Sequence, residues 1–99
     1  MIKAWSVRFS TKASKEYIKL RKNGVRPPIN DAIDLLANEL ERDGPEMYNW
    51  PNYDKLSEKR YHCHLKKGKP TFVACWEVLD YKLKQIEIYY VGTHEGAPY

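Results

Sequence analysis

The sequence has few of the features that mark membrane or exported proteins. No stretch of its 99 residues approaches the roughly 20 consecutive apolar residues that a membrane-spanning helix needs. Residues 1–9, MIKAWSVRF, lack the charged and apolar regions of a signal peptide. We therefore predict a soluble protein of the cytoplasm that has no membrane partner.

Cysteine is also scarce. Cys63 and Cys75 are the two cysteines of the chain, and both fall inside predicted strands. In a protein without an export signal, thiols in such positions are usually reduced and buried rather than joined in a disulfide. The sequence thus offers little support for a disulfide-stabilised fold or for cysteine chemistry.

The residues that are present describe a small basic domain. With 42% hydrophobic residues, a chain of this length can bury one core but not two, so we predict a single domain over residues 1–99. The net charge of +4 permits binding to a polyanion such as RNA, although many basic domains bind none. Charge alone does not decide the function.

The N-terminal half predicts one strand and two helices. Residues 2–9 alternate loosely between apolar and polar, which favours a strand. Ser10 or Thr11 can cap a first helix that runs to about Leu20. A second helix is predicted to begin at residues 26–28 (RPP) and to end at residues 43–45 (DGP), because apolar residues recur between them at helical spacing.

Residues 46–60 have no sustained period and are predicted to be a connection whose Trp50, Tyr53 and Leu56 close over the core. Strands are predicted at 61–66, 71–79 and 84–91. The fold class is therefore α+β in the order β-α-α-β-β-β, with the helices packed on one face of a mostly antiparallel four-stranded sheet. Alternation places Phe72, Ala74, Trp76 and Val78 on one face of the middle strand, and Ile86, Ile88 and Tyr90 on one face of the last.

The three histidines lie in the C-terminal part of the chain. In residues 61–65, YHCHL, side chains of a strand alternate, so His62 and His64 point the same way and their neighbours point the other way. His94 follows the last predicted strand, in the segment 92–99, GTHEGAPY. One face of a strand and the end of another strand therefore carry the histidines.

These features together resemble the RelE/ParE superfamily of toxin–antitoxin toxins, many of which are ribosome-associated mRNA endonucleases. The likeness covers nearly the whole chain in element order. It is sharpest at residues 5–9 (WSVRF), which lead into a helix containing 15–17 (KEY), at 61–65 (YHCHL) and at 90–95 (YVGTHE). An apolar strand followed by Val-Gly-X-His or Val-Gly-X-Arg is a recurrent ending of these toxins.

The resemblance implies a metal-independent endoribonuclease that needs no small-molecule cofactor, acts on mRNA on the ribosome and is neutralised by a cognate antitoxin. Some relatives use histidines in a Cys-His strand and a Gly-Thr-His ending, and by that likeness His64 and His94 stand at catalytic positions. Tyr99 takes the place of the family's C-terminal aromatic residue. His62 lies where some relatives carry a basic residue, and we assign it to the catalytic group in a supporting role.

The sequence departs from the family at the start of the middle strand. Many relatives place an arginine there, whereas this chain reads TFV at residues 71–73. Lys66, Lys67 and Lys69 on the preceding turn are the candidates to bind the RNA phosphate instead. Lysines in a turn are explained equally well by solubility.

Cleavage of RNA requires few catalytic groups from the protein, because RNA carries its own nucleophile. One histidine takes the proton from a 2′-hydroxyl and another protonates the leaving 5′-oxygen, each contributing about 10²–10⁴-fold. Lysines supply the electrostatic stabilisation, and Tyr99 can stack on a base or orient the phosphate. Which histidine is the base and which the acid stays open.

Three other interpretations remain at this point. Some relatives inhibit DNA gyrase by binding it and cleave nothing, although a pure binder has no need of paired titratable groups. A second possibility is an inactive relative that only binds RNA or a partner. His62, His64 and His94 could also form a three-histidine zinc site, although the sequence shows no close acidic partner for it.

Overall fold

A computed structural model of the chain describes residues 4–22, 27–66 and 71–99. One strand and two helices precede a run of four strands and a short 3₁₀ turn. The elements are β1 (Ser6–Phe9), α1 (Thr11–Lys22), α2 (Pro27–Asp43), β2 (Asp54–Lys55), β3 (Arg60–Lys66), β4 (Phe72–Asp80), β5 (Gln85–Thr93) and the 3₁₀ turn His94–Gly96.

The strands form one mixed sheet in the order β1-β5-β4-β3-β2. β1 runs parallel to β5, and the other neighbouring strands are antiparallel. The predicted α+β class and element order are confirmed. The predicted strand number was wrong, because Asp54 and Lys55, in the segment predicted as a connection, pair with His62 and Tyr61 of β3 and add a fifth strand.

Both helices begin and end close to the predicted positions. Ser10 caps α1, since its Oγ accepts a hydrogen bond from the Ala13 N–H at 3.0 Å. The helix continues past Leu20 to Lys22. The apolar face of α2 packs into the core, where the buried residues between positions 29 and 43 are fully excluded from solvent: Ile29, Ile33, Leu36 and Leu40.

The main core lies between the helices and one face of the sheet. Tyr61, Cys63 and Leu65 of β3 point into it, and His62 and His64 occupy the opposite face, as the alternation predicts. Trp50 and Tyr53 pack on this core as expected, but Leu56 is not among the residues that pack on it. We call the other side of the sheet the helix-free face; its small cluster consists of Val73, Cys75 and Tyr90, with Tyr89 and Ala97 beside them.

The prediction for Tyr90 was wrong. Cys75 of β4 pairs with Tyr90 of β5, whereas the next residue, Trp76, pairs with Ile88. This register shift leaves Tyr89 as an extra residue in β5, and the extra residue reverses the alternation. Ile88 therefore faces the main core, while Tyr90 faces the helix-free side.

Two predictions from composition can be compared with the structure. Cys63 and Cys75 are free and buried, as predicted. None of the helices in the described ranges is long and apolar enough to cross a membrane.

Candidate active site

β3 presents His62 and His64 side by side on the helix-free face. Their ring centroids are 6.3 Å apart, as expected for alternate residues of one strand. The strand is held in place from its outer side, because Asp54 of β2 pairs with His62 and the His64 N–H donates to the Pro51 carbonyl oxygen at 2.8 Å. The two imidazoles therefore rest on a strand with partners on both edges.

His94 reaches the same place from the end of β5. Thr93 ends the strand, and the 3₁₀ turn begins at His94. The His94 N–H donates to the Thr71 carbonyl oxygen at 2.8 Å, which ties this turn to the start of β4. The His94 ring centroid lies 5.7 Å from that of His64, with the ring planes at 69°.

Tyr99 completes the arrangement. Its ring lies 4.7 Å from His62, tilted by 32°, and 5.9 Å from His94, nearly perpendicular at 78°. We call His62, His64, His94 and Tyr99 the ring cluster. The structure thus brings together all four residues that the sequence assigned to the catalytic group.

Burial favours the uncharged forms of His62, His64 and Tyr99 in the ring cluster. Burial lowers the pKa of His62 below its usual value, and nearby Asp54 partly offsets this effect. Burial also lowers the pKa of His64, with a smaller contribution from the charge of His94. The pKa of the Tyr99 hydroxyl is raised, mainly by burial. At neutral pH, His62 and His64 are therefore uncharged in most molecules.

His62 is the most enclosed histidine. The residue is 9% exposed, and within the described part of the chain its Nδ1 atom has no hydrogen-bond partner. An unpaired buried nitrogen carries a cost in free energy, which is smaller for a neutral ring than for a charged one. This position suits a group that supports its neighbours better than one that accepts a proton during each turnover.

Of the three lysines predicted to bind phosphate, only the backbone of Lys66 lies among the described residues. Lys66 is the last residue of β3, and its side chain lies outside the described residues. Lys67 and Lys69 lie outside them entirely. Their contact with RNA therefore stays a prediction.

The arrangement of the three histidines differs from that of a metal site. Among residues 4–22, 27–66 and 71–99, no group of three or more His, Cys, Asp or Glu side chains is arranged to hold a metal ion. Acid/base chemistry by the imidazoles is what this geometry supports directly.

Sequence reasoning missed two residues that help to build this face. Arg60 begins β3 and shares the face of His62 and His64, so the same alternation extended by one step would have found it. Tyr90 bonds the backbone just before His94, with its hydroxyl donating to the Thr93 carbonyl oxygen at 2.7 Å. That contact depends on the register shift in β5, for which the sequence carries no signal.

No protein-family model matches the sequence, and no curated protein matches it either. Solved structures do share its fold. A chain of the Escherichia coli DinJ–YafQ toxin–antitoxin complex superposes with a TM-score of 0.70 at 15% identity, covering 92% of this chain and 93% of that one. A chain of the archaeal RelE–RelB complex of Pyrococcus horikoshii OT3 superposes with a TM-score of 0.66 at 13% identity, covering 98% of this chain and 100% of that one. The chain has the fold of the RelE-like toxins.

A metal-bound toxin from Helicobacter pylori has this fold too, with a TM-score of 0.65 at 21% identity, covering 92% of this chain and 96% of that one. The RelE-like fold confirms at the level of structure the resemblance seen in the sequence. Because the identities are low, the likeness establishes architecture, and the activity must be argued from the residues of this chain.

Proposed function

We propose that this chain is the toxin of a toxin–antitoxin pair and an endoribonuclease that cleaves mRNA on the ribosome in the cytoplasm. The observation that carries the proposal is the approach of His64 and His94, whose ring centroids are 5.7 Å apart. The RelE-like fold supports it, since the same architecture occurs in chains of two toxin–antitoxin complexes, DinJ–YafQ and RelE–RelB. Two imidazoles at this separation can act on one phosphodiester.

His64 is assigned as the general base and His94 as the general acid. Burial and the charge of His94 both lower the pKa of His64, so a proton on His94 favours a neutral His64. A neutral His64 can take the proton from the 2′-hydroxyl as its oxygen attacks the phosphorus. His94 then gives its proton to the leaving 5′-oxygen, and the products are a 2′,3′-cyclic phosphate and a 5′-hydroxyl.

The other members of the ring cluster position the substrate. Tyr99 offers a partly exposed ring beside both His62 and His94, and stacking of a base on such a ring is worth roughly 1–3 kcal/mol. His62 packs between Tyr99 and His64 and keeps them in place. Lys66, Lys67 and Lys69 supply positive charge to the phosphate in this scheme.

The partner of the proposed toxin is a cognate antitoxin. The chains compared above from Escherichia coli and Pyrococcus horikoshii were solved as complexes with DinJ and RelB. A partner that covers the ring cluster would block access of RNA to both catalytic histidines. We propose that the antitoxin of this chain acts in this way.

The test is induction of the chain in growing cells, with mapping of mRNA ends on translating ribosomes. Wild type should arrest growth and generate cleaved mRNA, and His64→Ala or His94→Ala should each lower the cleavage rate by about 10²–10⁴-fold. His64→Gln is the matched control, because it keeps a polar side chain and removes the titratable ring. It should therefore lose cleavage as His64→Ala does. Full cleavage by both alanine variants would contradict the assignment.

The same experiment separates the alternatives. Growth arrest with DNA damage and intact mRNA would indicate a gyrase inhibitor, and absence of arrest would indicate an inactive relative. Metal analysis of the purified protein, with cleavage measured before and after chelation, addresses the zinc interpretation. Cleavage that survives chelation supports catalysis by the imidazoles alone.

A further inference from the structure

Arg60 stands next to the ring cluster on the helix-free face. It is the first residue of β3, and its register partner is Glu77 of β4, just as Cys75 is the partner of His62. Same-face neighbours along a strand are about 6.6 Å apart, twice the rise per residue. Arg60 is therefore one such step from His62 and two from His64, a spacing comparable with the length of an extended nucleotide.

The guanidinium of Arg60 is held in place by two contacts and still has hydrogen-bond donors free. Its Cζ lies over the Tyr89 ring, 5.2 Å from the centroid, and its Nε–H donates to Glu77 Oε2 at 3.1 Å. Within the described part of the chain, its two Nη groups have no hydrogen-bond partner. The side chain is 54% exposed, so these donors are open to a ligand.

Tyr89 connects Arg60 to the ring cluster. It is the extra residue of the register shift, and it packs on Val73, Cys75 and Tyr90. One residue of that cluster, Cys75, lies directly opposite His62 in the β3–β4 pair. The ring beneath Arg60 is thus anchored beside the histidines and offers a rigid base for the guanidinium.

The charged groups beyond Arg60 on this face are already paired. Glu77 and Glu87 lie opposite each other in β4 and β5. Glu77 accepts from Arg60, and Glu87 accepts from Arg8 of β1 at 3.0 Å. Because the two carboxylates offset the two arginines, this part of the sheet offers a phosphate chain no excess positive charge. We therefore expect an RNA strand that reaches Arg60 to follow β3 toward the histidines and not to cross the sheet.

We infer that Arg60 and Tyr89 form a nucleotide subsite next to the ring cluster, where the Nη groups of Arg60 bind the phosphate of a nucleotide adjacent to the cleaved one. The ligand class is single-stranded RNA. A guanidinium held flat by a ring and a carboxylate can meet a phosphate with two parallel hydrogen bonds. The inference deepens the proposed function and rests on it for the identity of the ligand.

The chain contains a matched control for this subsite. Arg8 forms the same kind of cross-strand pair, to Glu87 at 3.0 Å, and its side chain is 68% exposed. Removing either arginine deletes one positive charge and leaves one carboxylate without its partner. Among the described residues, however, Arg8 has no aromatic ring beneath it, and two strands, β5 and β4, separate its strand from β3.

The test measures binding of a fully 2′-O-methylated RNA hexanucleotide, which cannot be cleaved, by fluorescence anisotropy at several salt concentrations. Arg60→Ala should weaken binding by about 5–10-fold and lower the salt slope by about 0.7, the value for one phosphate contact on a single strand. Arg8→Ala should stay within about twofold of wild type. Arg60→Lys keeps the charge but not the paired hydrogen bonds, and should lie between Arg60→Ala and wild type.

Thermal unfolding of each variant shows that the comparison is made between folded proteins, and Arg60→Lys remains informative if Arg60→Ala does not fold. Equal losses for the Arg60 and Arg8 variants would overturn the subsite, as would absence of oligonucleotide binding by wild type. If wild type cleaves RNA but the Arg60 variants bind the oligonucleotide no more weakly than Arg8→Ala does, the subsite alone is rejected. Specific loss at Arg60 in a protein that cleaves no RNA would retain the subsite and reject the nuclease.

Discussion

The hydroxyl of Tyr90 donates a hydrogen bond to the carbonyl oxygen of Thr93 at 2.7 Å, and it fills the space beside two glycines. A Cβ added at Gly92 would lie 2.7 Å from this hydroxyl oxygen, and one added at Gly96 would lie 2.8 Å from it. Both separations are shorter than ordinary van der Waals contact. Because Thr93 immediately precedes His94, this packing also holds the turn that carries the proposed acid.

Gly96→Ala should reduce the free energy of unfolding by about 1–3 kcal/mol, as overpacking does. The loss should be much smaller in a Tyr90→Phe background, because the atom then nearest the new Cβ is Thr93 Oγ1 at 3.5 Å. Urea unfolding of the two single variants and the double variant gives the coupling free energy. Losses that simply add would contradict this packing.

Gly92→Ala provides a comparison for the set of Gly96→Ala and Tyr90→Phe variants. Removing the Tyr90 hydroxyl still leaves the ring carbon Cζ 3.0 Å from the new Cβ. The Tyr90→Phe background should therefore rescue Gly92→Ala less than Gly96→Ala. Equal rescue at both glycines would show that the hydroxyl is not what limits the space.

Protonation of the ring cluster should oppose folding. Burial lowers the folded-state pKa of His62 and of His64, whereas an unfolded histidine has a pKa of about 6.5. Between those values the unfolded chain binds more protons, so the free energy of unfolding rises with pH through this window and falls on acidification. Urea unfolding in steps from neutral pH to about pH 5 measures the slope.

A variant that carries both His62→Gln and His64→Gln is the control for that slope. It keeps polar side chains at both positions but cannot bind the two protons. Its free energy of unfolding should depend less steeply on pH across the same window. A slope equal to that of wild type would assign the effect to other groups.

The proposed base should also set the acidic limb of the rate profile. Cleavage requires a neutral His64, and its pKa is lowered by burial and by the charge of His94. The acidic limb of kcat/KM for an oligoribonucleotide should therefore lie below about pH 6.5. A limb at higher pH would exclude His64 as the base.

Removal of the Tyr99 ring should have two linked effects. The ring packs 4.7 Å from His62, so Tyr99→Ala should expose that histidine and raise its pKa toward the usual value. Loss of base stacking should raise KM by about 5–150-fold, the equivalent of roughly 1–3 kcal/mol. Tyr99→Phe keeps the ring and should preserve both properties, as measured by NMR titration of His62 and by steady-state kinetics.

An unchanged His62 titration in Tyr99→Ala would show that this ring does not shield it. A raised KM for Tyr99→Phe as well would point to the hydroxyl, rather than the ring face, as the group that contacts RNA. The two variants together separate stacking from hydrogen bonding.

Local periodicity predicted much of the fold and the shared face of two residues of the candidate site. The helical spacing between Ile29 and Leu40 identified α2, and period-two alternation placed His62 and His64 on one face. These patterns are readable because each depends on which side of a single element faces the core. The meeting of His94 and Tyr99 with that face came from the family resemblance rather than from any local pattern.

The features that sequence reasoning missed depend on contacts between distant segments. β2 has two residues and exists because Asp54 and Lys55 pair with β3. The register shift after Cys75 moves Tyr90 to the helix-free face, and only pairing with β4 reveals it. The relation of Arg60 to Tyr89 follows from that same shift, so it was equally hidden.

The parallel pairing of β1 with β5 has a consequence for the kinetics of folding. β4 and β5 are joined by a tight turn in which the Leu83 N–H donates to Asp80 Oδ1 at 2.8 Å, so this hairpin closes a small loop. β1 adds to the outer edge of β5 from the far end of the sequence, and closing that long loop costs more entropy. We therefore expect docking of β1 to be a late step, so that substitutions in this strand mainly speed unfolding and change the rate of folding little.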